Sequence, residues 1–310
     1  MSYRRGESSL SFVAGIRKPA GMTSHDVVNV LRRALGERRV GHAGTLDPFA
    51  TGVMLMLIGP ATRLSKYLIN HDKRYIARIL FGTQTTTDDL EGEVMRTCDV
   101  PAEVSDIAYA QTILDTFQGE IMQVPCTYSA LKKDGKTAYK QARQGNDLDL
   151  QARPVQVYEY KLLEVGIDNN NVVFWDVEFF VSKGTYIRAL ARDIGIAAHT
   201  AAHLGALQRI EVAGISEQMC IDLPDFELNH PAIIDPVALL HYPEISLSYN
   251  LQERTLCGNA IDYKNNEHHL HNGENVCLTT PDELLAIYKY HELRGQLVPD
   301  CVFSQGVARG

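Results

Sequence analysis

The chain has 310 residues, 45% of them hydrophobic, and carries a net charge of −8 with six cysteines. No apolar run approaches the length of a membrane span, and the acidic balance argues against an indiscriminate nucleic-acid binder. The N-terminal MSYRRGESSLSF lacks the apolar core of a secretory signal, and the cysteines form no C-x-x-C pair, so a cytoplasmic protein with reduced thiols is expected.

The average charge hides an asymmetry. Residues 1–80 carry 13 Lys and Arg against 5 Asp and Glu, whereas the remainder carries 17 against 33. Cationic character concentrates where a polyanion would be met. Within that region TSHDVVNVLRRALG offers Thr23 and Ser24 as N-caps, Val27, Leu31 and Leu35 at four-residue spacing, and Gly36 as a stop. This pattern predicts an amphipathic helix. GHAGTLDPFATG (41–52) follows as a loop, its Asp47-Pro48 pair favouring a turn and Gly41, Gly44 and Gly52 supplying permissive backbone. VMLMLI (53–58) suits a short buried strand, which puts Asp47 just ahead of the core.

RYIARILFG alternates as a strand, and TQTTTDDLEGE reads as a turn-rich connection. SDIAYAQTILDTFQG places Ile107, Ala110, Leu114 and Phe117 on one helical face that ends at Gly119. SALKKDGKTAYKQAR sets Lys132, Lys136 and Lys140 at four-residue intervals, with Tyr139 interleaved and Arg143 beyond. As a helix this is a basic stripe suited to phosphates, while its Asp-Gly pair equally suits a hinged loop. Two strand-like runs, 155–165 and 172–181, flank the hairpin-like IDNNN, and SKGT leads into a helix, YIRALARDIG, with Arg188 in its first turn.

From HPAIIDP onward the chain becomes a series of short segments holding six of the eleven histidines, which places a domain boundary near 230. The EHHLHNG spacing fits no metal-ligating helix, and GPATRLSK lacks the Gly-Lys-Thr ending of a nucleotide loop. Neither a metal nor a cofactor is expected. The order of runs predicts an α+β architecture, a mixed or antiparallel sheet with helices followed by a small β-rich domain.

Five separated stretches together carry a resemblance: RKPAGMTSHDVV (17–28), GHAGTLDPFATGVMLMLIGPATR (41–63), KRYIARILFGTQTTTDDLEG (73–92), VPCTYSALKKDGKTAYKQAR (124–143) and SKGTYIRALARDIG (182–195). In that order they resemble the TruB family of tRNA pseudouridine synthases, which act on uridine 55 in the T loop of tRNA. The resemblance implies a catalytic domain over 1–229 with an RNA-contacting insertion near 124–153, and a PUA-like RNA-binding domain over 230–310. It implies Asp47 as the catalytic aspartate, Tyr75 as the tyrosine stacking on the target base, and Arg188 as the arginine that pairs with the aspartate. His42 resembles the histidine that helps remodel the T loop, and Leu207 the apolar residue beneath the flipped base. Lys18, Tyr186, Lys132, Lys136 and Lys140 join them as substrate-binding residues. The partner implied is tRNA through its T-arm, with no membrane and no obligate protein partner. The chain departs from the family pattern at Pro125-Cys126, at Leu207-Gln208-Arg209 and at Arg63.

That implied chemistry suits the residues. Exchanging an N1–C1′ for a C5–C1′ bond adds and removes nothing, so no redox group is called for. One carboxylate can attack or stabilise the sugar as glycosidases do, without the second carboxyl that hydrolysis needs to activate water.

Overall fold

The computed structural model describes residues 10–127, 150–223, 226, 233–263 and 269–310, together with the backbone of 132–133 and 136–137. By contact the chain forms two compact units: Met1–Pro48 with Gly52–Asn70 and Ala213–Gly310, and Phe49–Thr51 with His71–Val212. No helix among the described residues is long and apolar enough to cross a membrane.

The second unit is built on the strand Lys73–Phe81, whose odd positions Tyr75, Ala77, Ile79 and Phe81 are buried as the alternation requires. It pairs antiparallel with Val173–Val181 on one side and Ala202–Val212 on the other. Arg153–Ile167 and then Gly119–Gln123 extend the sheet beyond Val173–Val181, also antiparallel. The IDNNN hairpin forms as expected, with Asn171 at φ 63. The helix Ile187–Ala197 buries Ile187, Leu190, Ala191 and Ile194, each worth about 1–3 kcal/mol by size. It packs so closely on Ala202 that a Cβ on Gly195 would stand 2.6 Å from the Ala202 nitrogen.

One expectation for this unit needs correction, and one open alternative is decided. The helix after Asp106 covers Ile107–Asp115 and stops short of Phe117, because Gly119 at φ 100 already opens the next strand. Ala110 and Leu114 are buried, but Ile107 is 65% exposed, since the first turn lies outside the core contact. The four-residue spacing of Lys132 and Lys136 does not make a helix either. Lys132–Lys133 pairs antiparallel with Lys136–Thr137, and the Asp-Gly dipeptide between them is the sequence signal for a two-residue hairpin connection. Lys140, Tyr139 and Arg143 lie outside the described residues.

In the first unit Phe12–Lys18 pairs antiparallel with Thr51–Ile58, and Val40–His42 pairs with the far end of the latter. Phe12–Lys18 also takes Ile221–Asp222 in parallel and Ile233–Ile234 antiparallel, so the sheet is mixed. The helix Ser24–Leu35 forms as predicted, with Val27, Leu31 and Leu35 buried and Gly36 left-handed at its end. Toward the C-terminus a five-stranded sheet runs in the order Glu244–Ser246, Asn275–Thr279, Glu283–His291, Gln296–Ala308, Ile261–Asp262. It encloses its own apolar core, including Val276, Leu278, Leu285, Tyr288 and Leu297.

Asp300 ties that sheet to the helical segment 59–68. Its carboxylate takes Lys66 at 2.7 Å, Lys289 at 2.9 Å and the Tyr67 hydroxyl, while Arg63 donates to the Val302 carbonyl. Burial pushes the Asp300 carboxyl up, but these donors outweigh it and hold the group well below the usual carboxylate range. A carboxyl depressed in the folded state adds stability that is complete above its unfolded pKa of about 4 and is lost as pH falls through the folded value. Asp300→Asn is expected to lower the thermal midpoint at neutral pH and to narrow the gap from the parent in strong acid. Unfolding curves across acid pH check this, and a gap that stays constant would place the acid-labile contact elsewhere.

Candidate active site

The loop bearing Asp47 is held from behind. Thr23 is the N-cap of the Ser24–Leu35 helix, in a capping box with Asp26. Ser24 is left inside the first turn, where its buried hydroxyl donates to the Leu46 carbonyl and accepts from the Leu46 N–H, both at 2.9 Å. On the other side of Asp47, the Pro48 carbonyl accepts from Gly21 N at 2.9 Å and from Lys18 Nζ at 3.0 Å. Lys18 is 1% exposed and also donates to the Pro19 and Met22 carbonyls, at 2.9 and 2.7 Å. Its ammonium is thus engaged with the backbone around the loop. Gly44 and Gly52 adopt φ 114 and 103, where a side chain would be strained. Between these anchors Asp47 is half-buried, and His42 lies on the strand Val40–His42 opposite Met56.

The second unit holds Tyr75, Tyr186, Arg188 and Leu207. Leu207 lies opposite Ala77 and Arg209 opposite Tyr75, so Tyr75 and Leu207 share one face of the sheet as diagonal neighbours. Both are more than nine-tenths buried. Lys73, two residues before Tyr75 on the same face, is pulled down to about 8 by burial and by the charges of Arg209 and Lys183. Tyr186 precedes the Ile187–Ala197 helix, its ring under the Arg153 guanidinium at 5.2 Å. Buried Gln123 clasps its backbone, accepting from Tyr186 N at 2.9 Å and donating to its carbonyl at 3.1 Å. Arg188, two residues on, is 6% exposed and donates to the Thr87 carbonyl at 3.0 Å and to Asp89 at 3.1 Å.

Sequence reading missed Ser24 as a brace, Gln123 as a clasp and Asp89 as a partner of Arg188. For Asp89 a signal existed: adjacent aspartates in a turn, in a chain whose helix carries arginines four apart, can be read as matched charges. Ser24 and Gln123 leave no pattern, because their partners are backbone groups distant in sequence.

Comparison with known proteins gives this arrangement its class. Residues 32–187 match the N-terminal domain of TruB family pseudouridylate synthases. The chain is 46% identical over 214 residues to tRNA pseudouridine synthase B of Corynebacterium efficiens, covering 69% of this chain and 71% of the relative. With the Hydrogenovibrio crunogenus protein of the same name it shares 38% identity over 248 residues, 79% of this chain and 80% of the relative. A solved H/ACA ribonucleoprotein bound to a substrate RNA containing 2′-deoxyuridine includes a chain of the same fold, at TM-score 0.67 and 22% identity over 94% of this chain and 84% of that one. The chain belongs to the TruB family of pseudouridylate synthases.

Ser24→Ala would strand the buried Leu46 N–H and free the carbonyl beside Asp47. A loss of about 1–3 kcal/mol in unfolding free energy is expected, together with faster amide exchange at Leu46. Denaturant titration and hydrogen exchange measure both, and unchanged protection at Leu46 would show that Ser24 does not brace the loop.

Proposed function

We propose that this chain isomerises uridine 55 in the T loop of tRNA to pseudouridine, acting in the cytoplasm without a cofactor or protein partner, with Asp47 as nucleophile. The observation that carries the reading is the Asp47 loop itself: a half-buried carboxylate whose two neighbours are pinned by Ser24, Gly21 and Lys18. Such bracing suits a group that must meet a sugar carbon at fixed distance. Family membership and the relatives named tRNA pseudouridine synthase B support the same reaction.

In this reading the target base leaves the T-loop stack at a cost of a few kcal/mol. Tyr75 and Leu207, on one sheet face, offer it an aromatic and an aliphatic surface. Arg188 pairs with Asp47 and keeps it ionised and oriented once the base covers the site. As the N1–C1′ bond breaks, Asp47 holds the sugar. The uracil turns, C5 bonds to C1′, the C5 proton leaves toward the Tyr75 oxygen and N1 gains a proton, so the product is an isomer. His42, Tyr186 and the lysines of 132–140 contact the RNA, and Lys18 supports the Asp47 loop. Residues 1–229 form the catalytic part with its insertion at 124–153, and 230–310 the PUA-like RNA-binding part.

Asp47→Asn keeps the shape and deletes the charge, so turnover of unmodified tRNA transcript should disappear while filter-binding affinity stays within about threefold. Pseudouridine formed at the parental rate would remove Asp47 from the mechanism. Tyr75→Phe keeps the ring and deletes the oxygen. It should stall on normal tRNA yet still rearrange 5-fluorouridine RNA, which has no C5 proton to lose. Parental turnover of uridine by this variant would exclude a role for the hydroxyl.

A further inference from the structure

Arg188 is not the only arginine its helix buries. One turn on, Arg192 donates Nη1 to Asp88 at 3.0 Å, Nη2 to the Val124 carbonyl at 2.8 Å and Nε to Asp193 at 2.9 Å. Its side chain is 15% exposed and that of Asp88 8%. The two aspartates that meet the two arginines are consecutive, so the backbone at Asp88 decides where Asp89 points. Asp88 has φ 59, in the left-handed region that is uncommon outside glycine and that Asp and Asn enter more readily than other residues; here its surroundings secure it. Those surroundings are Arg192 on its carboxylate, the Leu204 N–H on its carbonyl at 3.0 Å and the Cys126 thiol, which burial keeps protonated and able to donate to Asp88. Downstream, Asp89 accepts from Thr87 Oγ1 and from Glu91 N, which leaves its other oxygen turned to Arg188.

We propose that Arg192 is a positioning residue for pseudouridine formation: by holding Asp88 in its left-handed turn it aims Asp89 at Arg188, and so sets the guanidinium that serves Asp47. The proposal rests on the reading of Asp47 and Arg188 given above. The Val124 contact also links this turn to the strand end that leads into the insertion, so Arg192 joins three segments distant in sequence. Its action on the chemistry passes through Arg188, which gives it a distinctive signature: the two residues should not act independently.

The test is a double-mutant cycle in single-turnover kinetics on tRNA transcript, with Arg192→Gln and Arg188→Lys alone and together. Arg192→Gln is expected to slow the chemical step about 10- to 100-fold, as displacement of a positioned group does, with tRNA affinity unchanged within about twofold. In the Arg188→Lys background the same change should cost less than about threefold further, because the group it positions is already absent. Asp88→Asn, which tolerates left-handed backbone and removes the charge, should reproduce the Arg192→Gln defect and serves if that variant folds poorly. A full-rate Arg192→Gln, or losses that multiply across the cycle, overturns the positioning role while wild-type activity leaves the function standing. Absence of pseudouridine with the wild-type protein overturns both.

Discussion

A guanidinium buried as deeply as that of Arg188 persists only where carboxylate and carbonyl oxygens replace the water it loses, because an uncompensated buried charge is strongly destabilising. Much of the second unit meets that requirement. The 86–92 turn brings the Thr87 carbonyl and Asp89 to it, and bonds from Thr85 to the Asp89 carbonyl and from Leu204 to the Asp88 carbonyl tie the turn to neighbouring backbone. Gln123 fixes the residue before the helix, and the close approach at Gly195 fixes its far end. The helix therefore cannot slide without breaking polar contacts at one end or backbone packing at the other.

The first unit solves the opposite problem, presenting a carboxylate while keeping it still. Loops move because few contacts hold them. Here the contacts fall on Leu46 and Pro48, to either side of Asp47, and are made by residues outside the loop. Burying Lys18 for this purpose is costly unless its ammonium is fully engaged, and the three carbonyls around it meet that condition. Rigid support and a partly open carboxylate are compatible because different residues provide them.

Periodicity made the main elements legible. The Ser24–Leu35 helix, the Thr51–Ile58 and Lys73–Phe81 strands, the IDNNN hairpin and the helix carrying Arg188 all follow from apolar spacing and turn residues. Family motifs, rather than periodicity, pointed to Asp47, Tyr75 and Arg188. What escaped was either long-range or ambiguous. Ser24 looks like an N-cap because its partner, 22 residues away, is a backbone group. The 132–137 lysines are spaced for a helix, yet Lys132–Lys133 pairs antiparallel with Lys136–Thr137, the outcome that an Asp-Gly dipeptide in the sequence favours over i, i+4 spacing. Ile107 sits on the apolar stripe yet faces solvent, since a stripe marks which residues could be buried and the sheet decides how far burial reaches.

Formal charge also says less about RNA contact than the sequence alone suggests. Among the cations of residues 1–80, Arg17 is paired with Asp222, Lys66 with Asp300, Arg74 with Glu178 and Glu159, and Arg78 with Asp176. The C-terminal sheet repeats this, Lys289 pairing with Asp300 and Arg309 with Asp235 and Glu244. Arg33, Arg38 and Arg39, by contrast, are exposed, and they lie around the end of the Ser24–Leu35 helix and directly ahead of the Val40–His42 strand. Each cation that reaches a phosphate adds roughly 0.7–0.9 to the salt slope of binding, whereas one already paired with a carboxylate must first give up that partner. In the proposed reading, then, electrostatic attraction is concentrated close in sequence to the loop that does the chemistry. On the same proposal the C-terminal sheet would recognise shape, and an overall charge of −8 is compatible with a polyanionic substrate because the exposed cations are local.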